Sequence, residues 1–195
     1  MTLSLREKRR LQTARDIQRA TLKLALAEGL DAITTDAIAA AAGVSTRTFF
    51  NYYPNKEAAA IGAPPGFRDE DKAALRAGRN ALAVDLKQFL DRHMAALAED
   101  ETILRMVGKV VHANSKASGL LDRVVLGERD ELAECLRARV EDDQVAMALA
   151  ANATACTARA IHLWENEESV SLAEALDHVW AGQIAAARLL AHPSG

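Results

Sequence analysis

The chain has 195 residues, of which 50% are hydrophobic and 26% charged, and its formal net charge is -3. It contains 41 alanines but only 4% aromatic residues and four prolines, a composition that favours helices and leaves little material for a β-sheet. No apolar run reaches the roughly 18 residues of a membrane span, and no secretory leader pattern opens the chain. We therefore expect an all-α, cytoplasmic protein with no membrane partner.

The charges are unevenly distributed along the chain. Residues 1–60 carry nine Lys and Arg against six Asp and Glu, whereas residues 61–195 carry fifteen against twenty-one. Within the first 23 residues, seven basic side chains oppose only Glu7 and Asp16. This basic excess indicates a polyanionic partner for the N-terminal part. A solvated, frayed basic arm is the alternative.

The first two helices are defined by apolar periodicity and by their end signals. Apolar residues recur at helical spacing over residues 8–28, and Gly29 suits the end of that helix. Thr34-Thr35-Asp36 offers a hydroxyl cap and an acidic first turn for a second, short helix that extends to about Ala42.

A glycine turn separates this second helix from a third. Gly43 permits a tight turn, and Ser45 can cap a helix over residues 46–53. Pro54 stops that helix, and Asn55 can cap a fourth helix that begins with Lys56.

The strongest break in the chain lies at residues 62–66, where two prolines are flanked by glycines. Beyond it the apolar pattern stays helical, and Ser171 and Glu174 have capping-box spacing at the start of the last helix. About nine helices are expected in total. The predicted helices after the break cover residues 68–98, 101–116, 118–140, 143–165 and 171–191.

Two short helices joined by a glycine turn, after a longer helix with a basic start, fit a helix-turn-helix; a core-only three-helix bundle is the alternative. The segment TTDAIAAAAGVSTRTFFNYYPNKE, residues 34–57, resembles the DNA-binding signature of the TetR/AcrR family of transcriptional regulators, and residues 20–29 fit its first helix. The resemblance implies an N-terminal helix-turn-helix domain, residues 1–62. It also implies a C-terminal effector-binding and dimerisation domain, residues 63–195.

The resemblance implies a role for each matched position. Apolar positions of the family motif fall on Ile38, Ala42, Val44 and Phe49, which are expected to be core, as is Tyr53. Arg47 can pair with guanine and Phe50 can touch a thymine methyl group. The family commonly has glycine and tyrosine at these two positions, so operator preference is not carried over. Base-reading positions fall on Thr46, Arg47 and Phe50, and phosphate-contacting positions on Thr35, Thr48, Asn51, Tyr52 and Lys56; with Ser45 at the start of the reading helix, they make up the predicted DNA-binding set. For Tyr52, a position in the core is the alternative.

The last two predicted helices are rich in small side chains, which let helices approach closely. Paired with their symmetry mates, these helices would form the dimer interface that the family resemblance implies. Packing within one chain is the alternative. The small residues are Ala146, Ala148, Ala150, Ala151, Ala153, Ala155, Cys156, Ala158 and Ala160, followed by Ala181, Gly182, Ala185 and Ala186.

An effector pocket is expected among the middle helices, mostly apolar with a few polar anchors. Arg159 stands on a largely apolar helix, where a buried charge would need a partner. Segments STRTFFNY and RARVEDD resemble regulators that bind acyl-CoA-like ligands. The predicted pocket residues are Phe89, His93, Leu97, Leu104, Val107, Val111, Met147, Arg159 and Trp164, with His112 as a further polar candidate. For each of them, an ordinary core or surface position is the alternative.

The sequence offers no catalytic unit: it has no HExxH helix, no GxSxG elbow and no phosphate-binding glycine loop. Cys135 and Cys156 lack the spacing of a metal or redox site and are expected to be core residues. No metal or cofactor is expected.

The protein is predicted to be a repressor that binds a palindromic operator in double-stranded DNA as a homodimer and is released by a small hydrophobic or amphipathic effector. The alternative is a helical DNA-binding dimer without effector control.

Overall fold

The computed structural model describes residues 4–167 and 169–191. Within these ranges every regular element is helical, so the all-α prediction is confirmed. None of the described helices combines the length and apolar character that crossing a membrane requires. In chain order the α-helices are α1 (Leu5–Glu28), α2 (Thr35–Ala41), α3 (Thr46–Tyr52), α4 (Lys56–Ile61), α5 (Asp69–Ala77), α6 (Leu82–Leu97), α7 (Glu101–Ala113), α8 (Ser115–Leu136), α9 (Asp143–Asn166) and α10 (Leu172–Ala191), with a 3₁₀ turn at Ala98–Asp100.

The single helix predicted over residues 68–98 is wrong, because the chain breaks between α5 and α6. Gly78 ends α5 in the left-handed region, with φ 58°. Asn80 then binds the carboxylate of Asp85 through both its backbone N–H, at 3.1 Å, and its side-chain amide, at 2.8 Å. The described residues therefore form ten helices rather than about nine.

The helices gather into two compact units. The first contains the chain up to Pro64 together with Asp100–Arg123, and the second contains Pro65–Glu99 together with the chain from Val124 onward. The break at the two prolines thus coincides with a unit boundary. Helix α7 and the start of α8 belong to the first unit. The sequence analysis placed them in the effector-binding and dimerisation domain, residues 63–195.

The core of the first unit is built around α1. Helices α2, α4 and α7 all pack against α1. Ile17 and Leu22 of α1, Ile38 of α2 and Phe49 of α3 are all fully buried. Val110 of α7 belongs to the same core, so a helix from much later in the chain adds to the core of the N-terminal helices.

In the second unit α9 packs along α10, and α6 contacts both. One face of α9 is buried, from Ala146 through Ala153 to Trp164. Cys135 and Cys156 are buried free thiols, which confirms them as core residues. Burial raises the pKa of both thiols. At the start of α10, Ser171 and Glu174 form the predicted capping box.

Candidate nucleic-acid interface

The turn between α2 and α3 is held by backbone and capping hydrogen bonds. The Thr34 hydroxyl accepts from the Ala37 N–H at 3.1 Å and caps α2. Gly43 adopts φ 68°, as its place in the turn predicts. Val44 then donates its N–H to the Ala39 carbonyl at 2.9 Å. These bonds fix α3 against α2 without using any of the predicted DNA-binding side chains.

Helix α3 has one face in the core and one in solvent. Phe49 is fully buried, and the buried Tyr53 that follows the helix donates its hydroxyl to the Ala14 carbonyl at 3.2 Å. Burial also raises the pKa of Tyr53. Tyr53 is therefore a core residue, as predicted. On the opposite face Phe50 is 52% exposed, and its ring meets that of Phe49 edge-on with centroids 5.3 Å apart.

The polar side chains of α3 fall into two groups. The Ser45 hydroxyl caps the helix by accepting from the Thr48 N–H at 3.0 Å, and it lies 2.8 Å from the Thr48 hydroxyl. Arg47 and Asn51 are exposed on the solvent side with Phe50. The structure thus brings most of the predicted set onto one short helix, together with the half-buried Tyr52, which packs against the core.

Two residues of the predicted set make contacts that sequence reasoning missed. The Thr46 hydroxyl donates to a carboxylate oxygen of Asp36 on α2 at 2.6 Å. The Lys56 ammonium group donates to the carbonyls of Asp31 and Ile33 at 2.8 and 3.0 Å. Lys56 therefore ties α4 to the connector between α1 and α2. Thr35 is half-buried in the first turn of α2.

The basic residues at the start of the chain lie on an ordered helix. Ser4 and Glu7 form a capping box in which the Glu7 carboxylate accepts from the Ser4 N–H at 2.8 Å. The Ser4 hydroxyl also donates to this carboxylate at 2.7 Å, and the hydroxyl and N–H bonds together hold the pKa of Glu7 below its usual range. The exposed basic side chains that follow are those of Arg6, Lys8, Arg9, Arg10 and Arg15. These residues lie within α1 itself and do not form a frayed arm.

The residues predicted to line an effector pocket are distributed over both units. In the first unit Val107 and Val111 pack against the N-terminal core, and Leu104 is half-buried. In the second unit the exposed Arg159 corrects the expectation of a buried charge, because it lies off the buried face of α9. The remaining predicted residues of the second unit are Phe89, His93 and Trp164, all buried, and Leu97 and Met147, both half-buried.

His93 lies beside a carboxylate that sequence reasoning did not single out. The His93 Nε2 atom is 3.9 Å from a carboxylate oxygen of Glu128 on α8. The imidazole ring packs against the ring of Phe67, with the two ring centroids 4.7 Å apart. Burial lowers the pKa of His93 to about 4. Burial, assisted by the charge of Glu131, raises the pKa of Glu128 to about 7. A narrow cleft beside His93 and Phe89 has room for about one water molecule.

Comparison with known proteins identifies the N-terminal segment. Residues 17–59 match the family described as "Bacterial regulatory proteins, tetR family". The match covers α1 from Ile17, all of α2 and α3, and the first turn of α4. No curated protein sequence matches the chain.

Several solved structures resemble the chain over most of its length. One, from Mesorhizobium loti and described as a TetR-family transcriptional regulator, is 18% identical with a TM-score of 0.51, over 90% of this chain and 95% of that one. FadR from Thermus thermophilus, a TetR-family repressor in complex with lauroyl-CoA, is 22% identical with a TM-score of 0.49, over 88% and 93%. A TetR-like regulator from Rhodococcus is 16% identical with a TM-score of 0.45, over 88% and 93%. The Mesorhizobium protein shares the fold of this chain.

Proposed function

Because the chain carries the DNA-binding domain of the tetR family over residues 17–59, we propose that this transcriptional regulator is a homodimeric repressor of a palindromic operator. We further propose that it acts in the cytoplasm and that a small hydrophobic or amphipathic effector releases it from DNA.

The exposed face of α3 is the observation that carries the proposal. Arg47, Phe50 and Asn51 point away from a core that holds the other side of the helix through Phe49. A guanidinium group can bond guanine O6 and N7 together, and an aromatic edge can contact a thymine methyl group. These are the groups that a recognition helix needs in the major groove. The inner edge of Phe50 also packs against the buried Phe49, with ring centroids 5.3 Å apart, which holds the exposed part of the ring in place.

Contacts to phosphates would set the register of α3 on the duplex without reading sequence. Lys56 has three N–H donors and uses two of them on the carbonyls of Asp31 and Ile33. Its third donor is assigned to a phosphate. Asn51 at the end of α3 and Thr35 at the start of α2 are assigned the same role.

Dimerisation is proposed through α9 and α10. The small residues of α9 lie on two faces. One face is buried within the chain and includes Ala146, Ala150, Ala153 and Ala160. The other face is exposed and includes Ala148, Ala155 and Ala158. The second half of α10 exposes Leu189 and Leu190 at 72% and 85%. Exposed small and apolar side chains on two adjacent helices fit a symmetric four-helix interface with a second copy.

The first effector class to test is an acyl chain or acyl thioester. The predicted pocket residues of the second unit are mostly apolar, and His93 supplies a neutral polar group beside Phe89 at neutral pH because burial depresses its pKa. Apolar walls with few polar groups suit an amphipathic molecule better than a charged one.

Selection of bound duplexes from a random DNA library tests DNA recognition. We expect enrichment of a palindrome whose half-sites are about 10 base pairs apart, since each recognition helix of a dimer enters the same face of the duplex. An Arg47→Ala protein should enrich a more degenerate site. A wild-type protein that enriches no sequence, or an asymmetric single half-site, would contradict the proposal.

Operator affinity with and without ligand tests effector control. Long-chain acyl-CoA should weaken operator binding by about 5- to 150-fold, and operator should weaken acyl-CoA binding by the same factor. Coenzyme A alone is the matched control. Leu97→Trp on α6 should fill the predicted pocket and reduce this response. Leu97 is chosen over Val107 because Val107 packs against the core of the first unit. No response to acyl-CoA or to other amphipathic ligands would favour a DNA-binding dimer without effector control.

A further inference from the structure

We propose that Asp36 is a positioning residue for DNA reading, because its carboxylate holds the hydroxyl proton of Thr46 and makes that side chain an acceptor toward DNA. The inference rests on the proposed function and deepens it. Asp36 belongs to α2 and is exposed, and Thr46 is the first residue of α3. The two oxygens lie 2.6 Å apart, the distance of a charge-assisted O–H···O⁻ bond.

The direction of this bond follows from the chemistry of its partners. A threonine hydroxyl has one hydrogen to donate and two lone pairs to accept with, whereas a carboxylate only accepts. The single hydrogen of Thr46 must therefore point at Asp36. What remains for any other partner is the lone pairs of the hydroxyl and the γ-methyl group.

The other two hydroxyl groups at the start of α3, those of Ser45 and Thr48, do not donate to a carboxylate within the described part of the chain. Ser45 and Thr48 lie 2.8 Å from each other, and Ser45 also accepts from the Thr48 N–H, so these two side chains serve the helix cap. The bond between Thr46 and Asp36 instead joins two different helices. It is not needed to end or begin either of them, since Thr34 and Ser45 already provide the caps of α2 and α3.

The consequence for base reading is specific. In the major groove, adenine N6 and cytosine N4 are donors, whereas guanine O6 and N7 and thymine O4 are acceptors. An acceptor-only Thr46 can bond an amino group of adenine or cytosine, and its methyl group can touch that of thymine. It cannot donate to guanine. Removal of Asp36 frees the proton and permits bonds to guanine.

Selection from a library with randomised half-sites tests the inference in the full-length protein. The base position read by Thr46 is the one whose preference changes in Thr46→Val, a variant that keeps the shape and loses the hydroxyl. At that position the wild type should prefer adenine or cytosine over guanine. Asp36→Ala and Asp36→Leu, neither of which has a side-chain acceptor, should each reduce that preference by about three- to ten-fold, the worth of one hydrogen bond.

Two controls separate this role from others. Glu28→Gln removes an equal negative charge from an exposed residue of α1 that has no hydrogen bond to α3 among the described residues; it should leave base preference unchanged. In the double variant Asp36→Ala/Thr46→Val, the loss of Asp36 should have no additional effect on that position, because the hydroxyl through which it acts is gone. Thermal unfolding identifies which Asp36 variants are folded.

The outcomes distinguish the inference from the proposed function. A wild-type protein without a selected operator would overturn both. A wild-type operator whose preference at the Thr46 position is unchanged in a folded Asp36→Ala or Asp36→Leu protein would overturn the inference alone. An equal change in Glu28→Gln would also overturn it, because the effect would then come from charge and not from the hydroxyl.

Discussion

The guanidinium group of Arg19 lies 2.8 Å from the carboxylate of Asp100, which joins α1 to the residue immediately before α7. The same carboxylate accepts from the Ile103 N–H at 3.2 Å and so caps α7. Burial opposes ionisation of Asp100, but the bonds from Arg19 and Ile103 hold its pKa below the usual range. One side chain therefore serves both the helix start and the contact with α1.

This double role predicts unequal effects of the two partners on stability. Asp100→Ala should lower the free energy of unfolding by about 1–2 kcal/mol, because it removes a helix cap as well as an ion pair. Arg19→Ala should cost less, since a partly exposed ion pair contributes at most about 1 kcal/mol and the cap remains. Urea unfolding at fixed protein concentration measures both. A larger loss in Arg19→Ala would contradict the assignment of the cap.

Arg47 is predicted to carry base preference. Arg47→Ala should weaken binding to the selected operator by about 1–3 kcal/mol and relax preference at one position of each half-site. Arg47→Lys is the matched control because it keeps the charge and loses the bidentate fork. It should bind random DNA like the wild type and still lose the preference. Equal losses on operator and random DNA in both variants would show that Arg47 contacts only phosphate.

Lys56 is predicted to affect both folding and DNA binding. Lys56→Ala leaves the carbonyls of Asp31 and Ile33 without their donor, so the free energy of unfolding should fall by about 1–3 kcal/mol. If its third N–H reaches a phosphate, affinity for operator and random DNA should fall together. The slope of log affinity against log salt should also decrease by about one. An unchanged salt slope with reduced stability would leave Lys56 only its structural role.

His93 and Glu128 are predicted to give opposite contributions to the pH dependence of stability. Burial lowers the pKa of His93 to about 4, so below its unfolded value of about 6.5 the unfolded chain binds more protons and stability falls as pH falls toward 4. Burial raises the pKa of Glu128 to about 7. The folded chain therefore binds more protons between about 4.3 and 7, and stability falls as pH rises through that range.

Single variants separate the two contributions. Glu128→Gln should make the protein more stable as pH rises from 4 to 6.5, relative to the wild type, because only the histidine contribution remains. His93→Phe, which keeps a ring against Phe67, should be less stable as pH rises from 4.5 to 7. Unfolding midpoints measured across pH 4–7.5 test this. Parallel pH profiles for both variants and the wild type would contradict the opposed contributions.

Local signals explain why much of the N-terminal head was predictable. The ends of α1 to α4 follow from capping hydroxyls, Gly43, Pro54 and helical spacing, all of which act within a few residues. The core position of Phe49 was expected from the family resemblance, and Tyr53 was expected to close the same small core. The break after α5 was missed although Gly78 and Asn80, two residues common in turns, stand at that point.

Contacts between helices were not predictable in this way. Whether Thr46 meets Asp36, or Lys56 meets the carbonyls of residues 31 and 33, depends on how α2, α3 and α4 pack, and no spacing rule gives that. Arg159 was misjudged because the apolar residues of α9 were considered together and not by face. The buried face includes Cys156 and Ala160, and Arg159 lies beside it.

Hydroxyl-radical footprinting of the wild-type protein on its selected operator tests the central claim most directly. A dimer with two recognition helices on one face of DNA should protect two segments related by two-fold symmetry, with centres about 10 base pairs or a multiple of a helical turn apart, equivalent to roughly 34–36 Å. Arg47→Ala should remove this protection at protein concentrations that saturate the wild-type site. A single protected segment, or protection that is the same on operator and on random DNA, would contradict a dimeric, sequence-specific regulator.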